Sequence, residues 1–264
     1  MSDEATAFYL PRGDGRYLPT RATESPWDHA AQHGGPPAAL LAHEIDASVP
    51  GAADGAMRLA RISLEFLGPI PREEVSVEVT PVKPGRRVHL TDAVMHAAGR
   101  PVVLARAWHI ATGATPPAAG VHLPVGTRPG PVEQRYFSGL QDWGYGEAVE
   151  WRFVEGGFDA LGPADVWTRV RLPLVEGEPM RGLYRALVVA DSANGLSAEL
   201  PLDEWFSIPP TMTTTLARHP EGEWVNLRAR SQLTTDGLGL AHADLGDDTG
   251  VFGEVAQPLF VAPR

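Results

Sequence analysis

The sequence predicts an α+β chain built from one unit written twice, each unit a helix laid on an antiparallel sheet. Three observations predict it. Two apolar-faced helical segments stand about half a chain apart, each is followed by a train of strand-like segments, and a proline-rich stretch separates the two sets. A helix and the strands after it must bury their apolar faces against each other, so each set is read as one packed unit.

The first helix spans about 36–48. Ala38, Leu41, Ala42 and Ile45 recur at i, i+3, i+4 and i+7, which gives one apolar face. It starts in "QHGGPPAALLA". Proline at the first helical positions gives up amides that would be unpaired anyway, so "GGPP" opens a helix without losing hydrogen bonds. Four strands follow: "MRLARISLEFLGPI", "EEVSVEVTPV", "RRVHLTDAVMHA" and "RPVVLARAWHIA". In the second, Val75, Val77 and Val79 alternate with Ser76, Glu78 and Thr80, the pattern of a sheet with one buried face. Pro84-Gly85 and Gly99-Arg100-Pro101 are the turns.

Residues 113–133 hold five prolines and no periodicity. Within them 116–133 is read as a linker between a first unit, 1–115, and a second, 134–264. The second unit opens with the strands "YGEAVEWRFVEGG" and "ADVWTRVRLPLV" and a helix over about 180–191. "FSIPPTMTTTLAR", "EWVNLRARSQLTT", "LGLAHADLG" and "GVFGEVAQPLFVA" then read as strands. Overlaying Pro71 on Pro220 also brings Glu74 onto Glu223, Val102 onto Val251 and Ala107 onto Ala256. Those identities barely exceed chance; the shared order of helix, strand, Pro-x-x-Glu turn and three strands is what argues for duplication.

Composition narrows the function. The chain has 264 residues, 43% hydrophobic, and no cysteine, which removes disulfides, thiolate catalysis and cysteine zinc sites. Its net charge of −11 argues against a nucleic-acid or membrane-surface binder, which needs a basic stripe. "MSDEATAFYLPRGDG" lacks the apolar core of a secretory signal, and no apolar run is long enough to span a bilayer, so a cytoplasmic protein is expected. His29 and His33 have i, i+4 spacing beside Asp28, but a third ligand is missing, and no metal is expected. No G-x-S-x-G elbow is present, and "GLGLAHADLG" lacks the dinucleotide fingerprint. No cofactor is expected.

Three places could carry chemistry. Gly34 and Gly35 let backbone approach a ligand closely, and a helix start offers amides to an oxyanion. Plain capping explains the same residues, and taken alone they favour it. Asp191 follows Leu187 by four residues, which sets its carboxylate on or beside the buried face of the second helix. A buried carboxylate is costly unless bonded or used, although Asp191 could also simply end the helix through its own backbone. Gln257 is a lone amide in an apolar strand, on the face of Val255 and Leu259.

The segments "HGGPPAALLAHEID", "LEFLGPIPREEVSVEV", "PLVEGEPMRGLYRALVVADSANG", "ARHPEGEWVNLRARS" and "GVFGEVAQPLF", in this order and spacing, resemble the double hot-dog acyl-CoA thioesterases of the thioesterase II type over nearly the whole chain. The resemblance implies two antiparallel sheets, each wrapped around a long helix, and hydrolysis of acyl-CoA by an activated water. It implies that Asp191 orients or activates the water, that Gln257 helps hold it, and that helix-start amides at Gly34 and Gly35 hold the oxyanion. It also implies a Thr or Asn near the start of "PPTMTTT", where this chain has Pro209; Thr211 and Thr213 share a face and are the expected substitutes. Two other functions fit the fold. One is an acyl-CoA binder without activity. The other is an enoyl-CoA hydratase, a class that pairs an Asp with a nearby His, and no His follows Asp191 in "ADSANGLSAEL". The chain is expected as a monomeric double unit or a homo-oligomer of it.

Overall fold

The structure is a computed structural model and describes residues 5–117, 123–137 and 142–264. The strands are β1 (Tyr9–Gly13), β2 (Arg16–Pro19), β3 (Met57–Phe66), β4 (Val75–Lys83), β5 (Val88–Ala97), β6 (Arg100–Ala111), β7 (Val149–Glu155), β8 (Ala164–Val170), β9 (Trp205–Ile208), β10 (Thr211–Leu216), β11 (Trp224–Leu233), β12 (Leu238–Asp247) and β13 (Gly250–Pro263). The helices are α1 (Gly35–Ser48), α2 (Gly144–Ala148), α3 (Gly182–Ala190) and α4 (Ala193–Leu196). Among the described residues no helix is long and apolar enough to cross a membrane.

All thirteen strands form one sheet, where two were expected. Its order is β1-β2-β4-β5-β6-β3-β10-β13-β12-β11-β8-β7, with β9 added beside β13. The join is the antiparallel pair β3–β10, with Ser63 opposite Thr213. An unpaired edge on either half would leave a row of open backbone groups, and this pairing removes both edges at once. The order reads the same from both ends, as two copies related by a two-fold passing between Ser63 and Thr213 require.

The hairpins fix the register between the copies. Ala97 pairs with Arg100 and Asp247 with Gly250, each next to a bulge, at Met95/His96 and at Leu245/Gly246. Ala97 thus corresponds to Asp247, and Ala107 to Gln257. The sequence overlay, which matched Ala107 to Ala256, is one residue out of step.

The helices α1 and α3 lie against each other and against the sheet, running in opposite directions: the start of α1 meets the end of α3, and the end of α1 meets the start of α3. Small residues allow this. Ala38, Ala39, Ala42, Ala186 and Ala190 are fully buried, and Gly35 stands where any side chain would run into the Val188 carbonyl. Pro36 and Pro37 cost α1 nothing, because its first bond is Ala38 N–H to Gly34 O at 3.0 Å. The second helix is short, nine residues, and is not the long helix expected.

Three further differences have local causes. "YGEA" is the helical turn α2, whose first amide, Gly144 N–H, is taken by Glu24 Oε2 at 2.9 Å. "FSIPPTMTTTLAR" is two strands, since Pro209-Pro210 cannot donate to a ladder. The β1–β2 hairpin, turning at Gly13-Asp14-Gly15 with all three residues at positive φ, was not anticipated. Of the linker 116–133, residues 118–122 lie outside the described residues.

Candidate active site

At the end of the helix pair where α1 begins and α3 stops, a cleft of about 690 Å³ opens. Its wall includes His33, Gly34, Asp191 and Asn194. The cleft is bounded by β9, the Pro209-Pro210 step before β10, the chain after β3, and aromatic rings from Trp27, Phe137, Trp143 and Phe158.

Asp191 caps the C-terminal end of α3. Its side chain is 11% exposed and its two oxygens have different surroundings. Oδ1 accepts from Gln257 Nε2 at 2.9 Å. Oδ2 faces Gly34 and lies 3.4 Å from His33 Nδ1. Gln257 is fully buried, and its Oε1 in turn accepts from Asn194 N–H at 3.1 Å. Both ends of its amide are therefore used by protein. It bonds Asp191 directly and holds one carboxylate oxygen while leaving the other turned to the cleft. Asn194 is itself fixed, donating from Nδ2 to Ser207 O and accepting from Ser207 Oγ, both at 2.8 Å.

Gly34 is a space requirement as much as a cap. Its φ of −67° suits any residue, yet an added Cβ would lie 2.8 Å from Asp191 Oδ2 and 3.0 Å from Phe66 Cζ. The two glycines differ in their amides. Gly35 N–H points back to His33 Nδ1 at 3.3 Å, so the expected role for Gly35 as an oxyanion donor is already occupied. No described residue accepts from Gly34 N–H.

The sequence offers His33 only as half of a metal-like spacing. In the fold His29 turns to Glu24, 2.9 Å away, while His33 turns inward and stacks on Tyr145 with ring centroids 4.0 Å apart and planes within 8°. Among the described residues no group of three or more His, Cys, Asp or Glu could hold a metal. Burial lowers the His33 pKa, opposed in part by the Asp191 charge, so the ring is neutral at pH 7. With Nδ1 accepting from Gly35, the neutral ring carries its proton on Nε2. Tyr145 extends the support. Its hydroxyl contacts Val188 O and Ser192 Oγ, each at 2.9 Å, at the end of α3.

Thr211 and Thr213 are not brought to this site. Thr213 pairs with Ala256, whose side chain points away from the face that carries Val255, Gln257 and Leu259. Thr213 instead meets Ser63 Oγ at 3.0 Å, on the two-fold, and Thr211 donates to Leu64 O at 2.7 Å. The inward threonine of this strand is Thr214, which is fully buried. Pro209 does line the cleft.

Comparisons with known proteins identify the family and the fold. The acyl-CoA thioesterase N-terminal domain model matches residues 23–110, and the acyl-CoA thioesterase C-terminal domain model matches residues 123–261. The chain is similar to a solved hot dog fold protein of unknown function from Alicyclobacillus acidocaldarius, with 15% identity, 97% of each chain covered and a TM-score of 0.73. It is also similar to the acyl-CoA thioesterase II TesB2 from Mycobacterium marinum, with 15% identity over 97% of this chain and 96% of that one, and a TM-score of 0.67. At such identities the structural likeness speaks for the fold. No curated protein matches the chain in sequence.

Proposed function

The chain belongs to the acyl-CoA thioesterase family, and from that premise we propose which groups carry its chemistry. The reaction is hydrolysis of the acyl-CoA thioester to a free acid and CoA. Asp191 is the base. Its Oδ2 takes a proton from water as the water oxygen attacks the thioester carbonyl. Gly34 N–H receives the oxyanion as it forms, and one well-placed donor of this kind is worth about 3–4 kcal/mol. The tetrahedral intermediate collapses with loss of the CoA thiolate, which takes up the proton held on Asp191 Oδ2 and so restores the carboxylate. Gln257 is a positioning residue, keeping Oδ1 occupied so that Oδ2 stays aimed at the cleft. Neutral His33 shapes the same wall and turns its Nδ1 to Gly35 and Asp191.

The observation that supports this reading is the asymmetry of the Asp191 carboxylate, one oxygen bonded to Gln257 and the other facing Gly34. Free-thiol release across a series of acyl-CoA chain lengths tests it. Asp191→Asn keeps the shape and removes the base, so kcat should fall by about 100-fold or more. A folded Asp191→Asn protein with native turnover would sink the assignment.

One observation favours a second reading. His33 beside Asp191 at 3.4 Å supplies, from the other half of the chain, the His–Asp pair that a hydratase on this fold uses. Loss of crotonyl-CoA absorbance without thiol release would mark that activity. The rest of the reading is organisational. Residues 1–115 and 134–264 are taken as the two units and 116–133 as their connection, in a cytoplasmic protein that works as a monomeric double unit or a homo-oligomer of it.

A further inference from the structure

Opposite the buried Asp191, the mouth of the cleft has its own chemistry. Trp27 is 52% exposed there. The Arg264 guanidinium lies over the rings of Phe206 and Trp27, 4.6 Å and 5.7 Å from their centroids. Its Nε donates to Leu202 O at 2.8 Å, which fixes the plane of the group and leaves both terminal nitrogens without a described partner. No carboxylate pairs with it among the described residues, and among the described residues lining the cleft it is the one Arg or Lys. Asp28, an acid at the same rim, is turned to its own backbone, accepting from Ala30 N–H at 2.9 Å.

An unpaired, pre-oriented guanidinium on the rim of an acidic protein selects an anion, and a planar fork suits phosphate oxygens. An exposed indole beside it offers a stacking face to a base. We propose that Trp27, Phe206 and Arg264 form the recognition site for the adenine nucleotide of coenzyme A, the base against the indole and a phosphate on the guanidinium. The proposal rests on acyl-CoA being the substrate and deepens it: the nucleotide is gripped at the mouth while the acyl thioester lies by Asp191. It separates coenzyme A from an acyl carrier protein, which presents a phosphopantetheine but no adenine. The chain's charge of −11 also disfavours an acidic protein partner.

The test compares hexanoyl-CoA with hexanoyl-N-acetylcysteamine, a thioester with no nucleotide, in the native chain, Trp27→Ala and Arg264→Ala. Each substitution should raise KM for hexanoyl-CoA about tenfold more than KM for the short ester, the scale of one charge-assisted hydrogen bond. Adenosine 3′,5′-bisphosphate should bind the native chain, compete with hexanoyl-CoA and bind both variants more weakly. Equal losses on the two esters, or a bisphosphate that does not compete, would overturn the proposal; so would hexanoyl carrier protein turning over as well as hexanoyl-CoA. If the native chain hydrolyses neither ester, the hydrolysis reading is at fault, and calorimetric titration with the bisphosphate still decides the nucleotide site.

Discussion

Gly34 and Gly35 stand side by side, yet replacing each by alanine should injure different properties. At Gly34 the backbone is already helical, so alanine alone would add about 0.4–1 kcal/mol by restricting the unfolded chain. Against that, the new methyl lies 2.8 Å from Asp191 Oδ2 and 3.0 Å from Phe66 Cζ, where carbon contacts settle at roughly 3.5–4 Å. Something must move by about 0.5–1 Å. Both neighbours are side-chain atoms at the cleft wall, and the carboxylate is the one that can turn. Stability should therefore change by no more than about 1–2 kcal/mol. Catalytic groups work within about 0.5 Å of their productive place, and a displacement near 1 Å costs about 100-fold, so kcat should fall between about 10- and 100-fold. At Gly35 the obstacle is the Val188 carbonyl, a backbone atom of α3 that no rotamer change can clear. The helices must part, at a cost at or above about 3 kcal/mol. Thiol release and scanning calorimetry on both variants separate the effects. Native turnover in Gly34→Ala, or a larger Tm loss there than in Gly35→Ala, would refute the reasoning.

Gln257→Ala should lower kcat about 10-fold with KM held, less than Asp191→Asn, because it frees the base without removing it; a larger loss than Asp191→Asn in steady-state assays would assign it a direct role. Asp46 accepts from His109 Nε2 at 2.8 Å, Arg181 Nη1 at 3.2 Å and Tyr184 OH at 3.4 Å, all at the other end of the helix pair. Asp46→Ala should cost about 3–5 kcal/mol in urea unfolding by stranding those donors, while the folded fraction keeps its turnover. Asp247 is fully buried. Burial alone would raise its pKa, but the two-bond pair with Arg218 and the N–H groups of Glu221 and Thr249 outweigh that and hold it well below the usual carboxylate range. A folded pKa below the unfolded one means the stability it adds is complete above about pH 4 and is lost as pH falls further. Tm measured from pH 6 downward should therefore drop less steeply in Asp247→Asn than in the native chain, from a lower start.

What the sequence made legible was whatever depends on local order. The spacing of Ala38, Leu41, Ala42 and Ile45 identified α1, and its observed start at Gly35 agrees with the proline signal within one residue. Asp191 and Gln257 could be singled out because each is polar on an apolar face, a property of its own segment. The part played by His33 was hidden, since nothing in "QHGGPP" says that the end of another helix, more than half a chain away, will press against it. "ADSANGLSAEL" holds no histidine after Asp191, as the sequence shows. The histidine beside Asp191 comes instead from the approach to α1, where His33 Nδ1 lies 3.4 Å away. Thr211 and Thr213 were lost to a different cause. Side chains alternate along a strand, so the face is decided by pairing with β13, and pairing is set by the sheet rather than by "PPTMTTT".

The two halves of the sheet do not carry two equivalent sites. In the sheet's register Gln257 corresponds to Ala107, which has no amide to hold a carboxylate. The residue capping α1 is Gly34; the residue capping α3 is Arg181. Each cap meets a carboxylate at the end of the opposite helix, Asp191 in one case and Asp46 in the other. Where the cap is glycine, one oxygen of the carboxylate is left facing a cleft. Where it is arginine, the guanidinium fills that room, and His109 and Tyr184 take up what remains of the acceptor capacity. Asp46 is 4% exposed in consequence and is held in an ion pair with Arg181. At one pair of helix ends a glycine cap and a buried amide thus leave a carboxylate oxygen turned to the cleft, and at the other an arginine cap makes the carboxylate a tie between the helices.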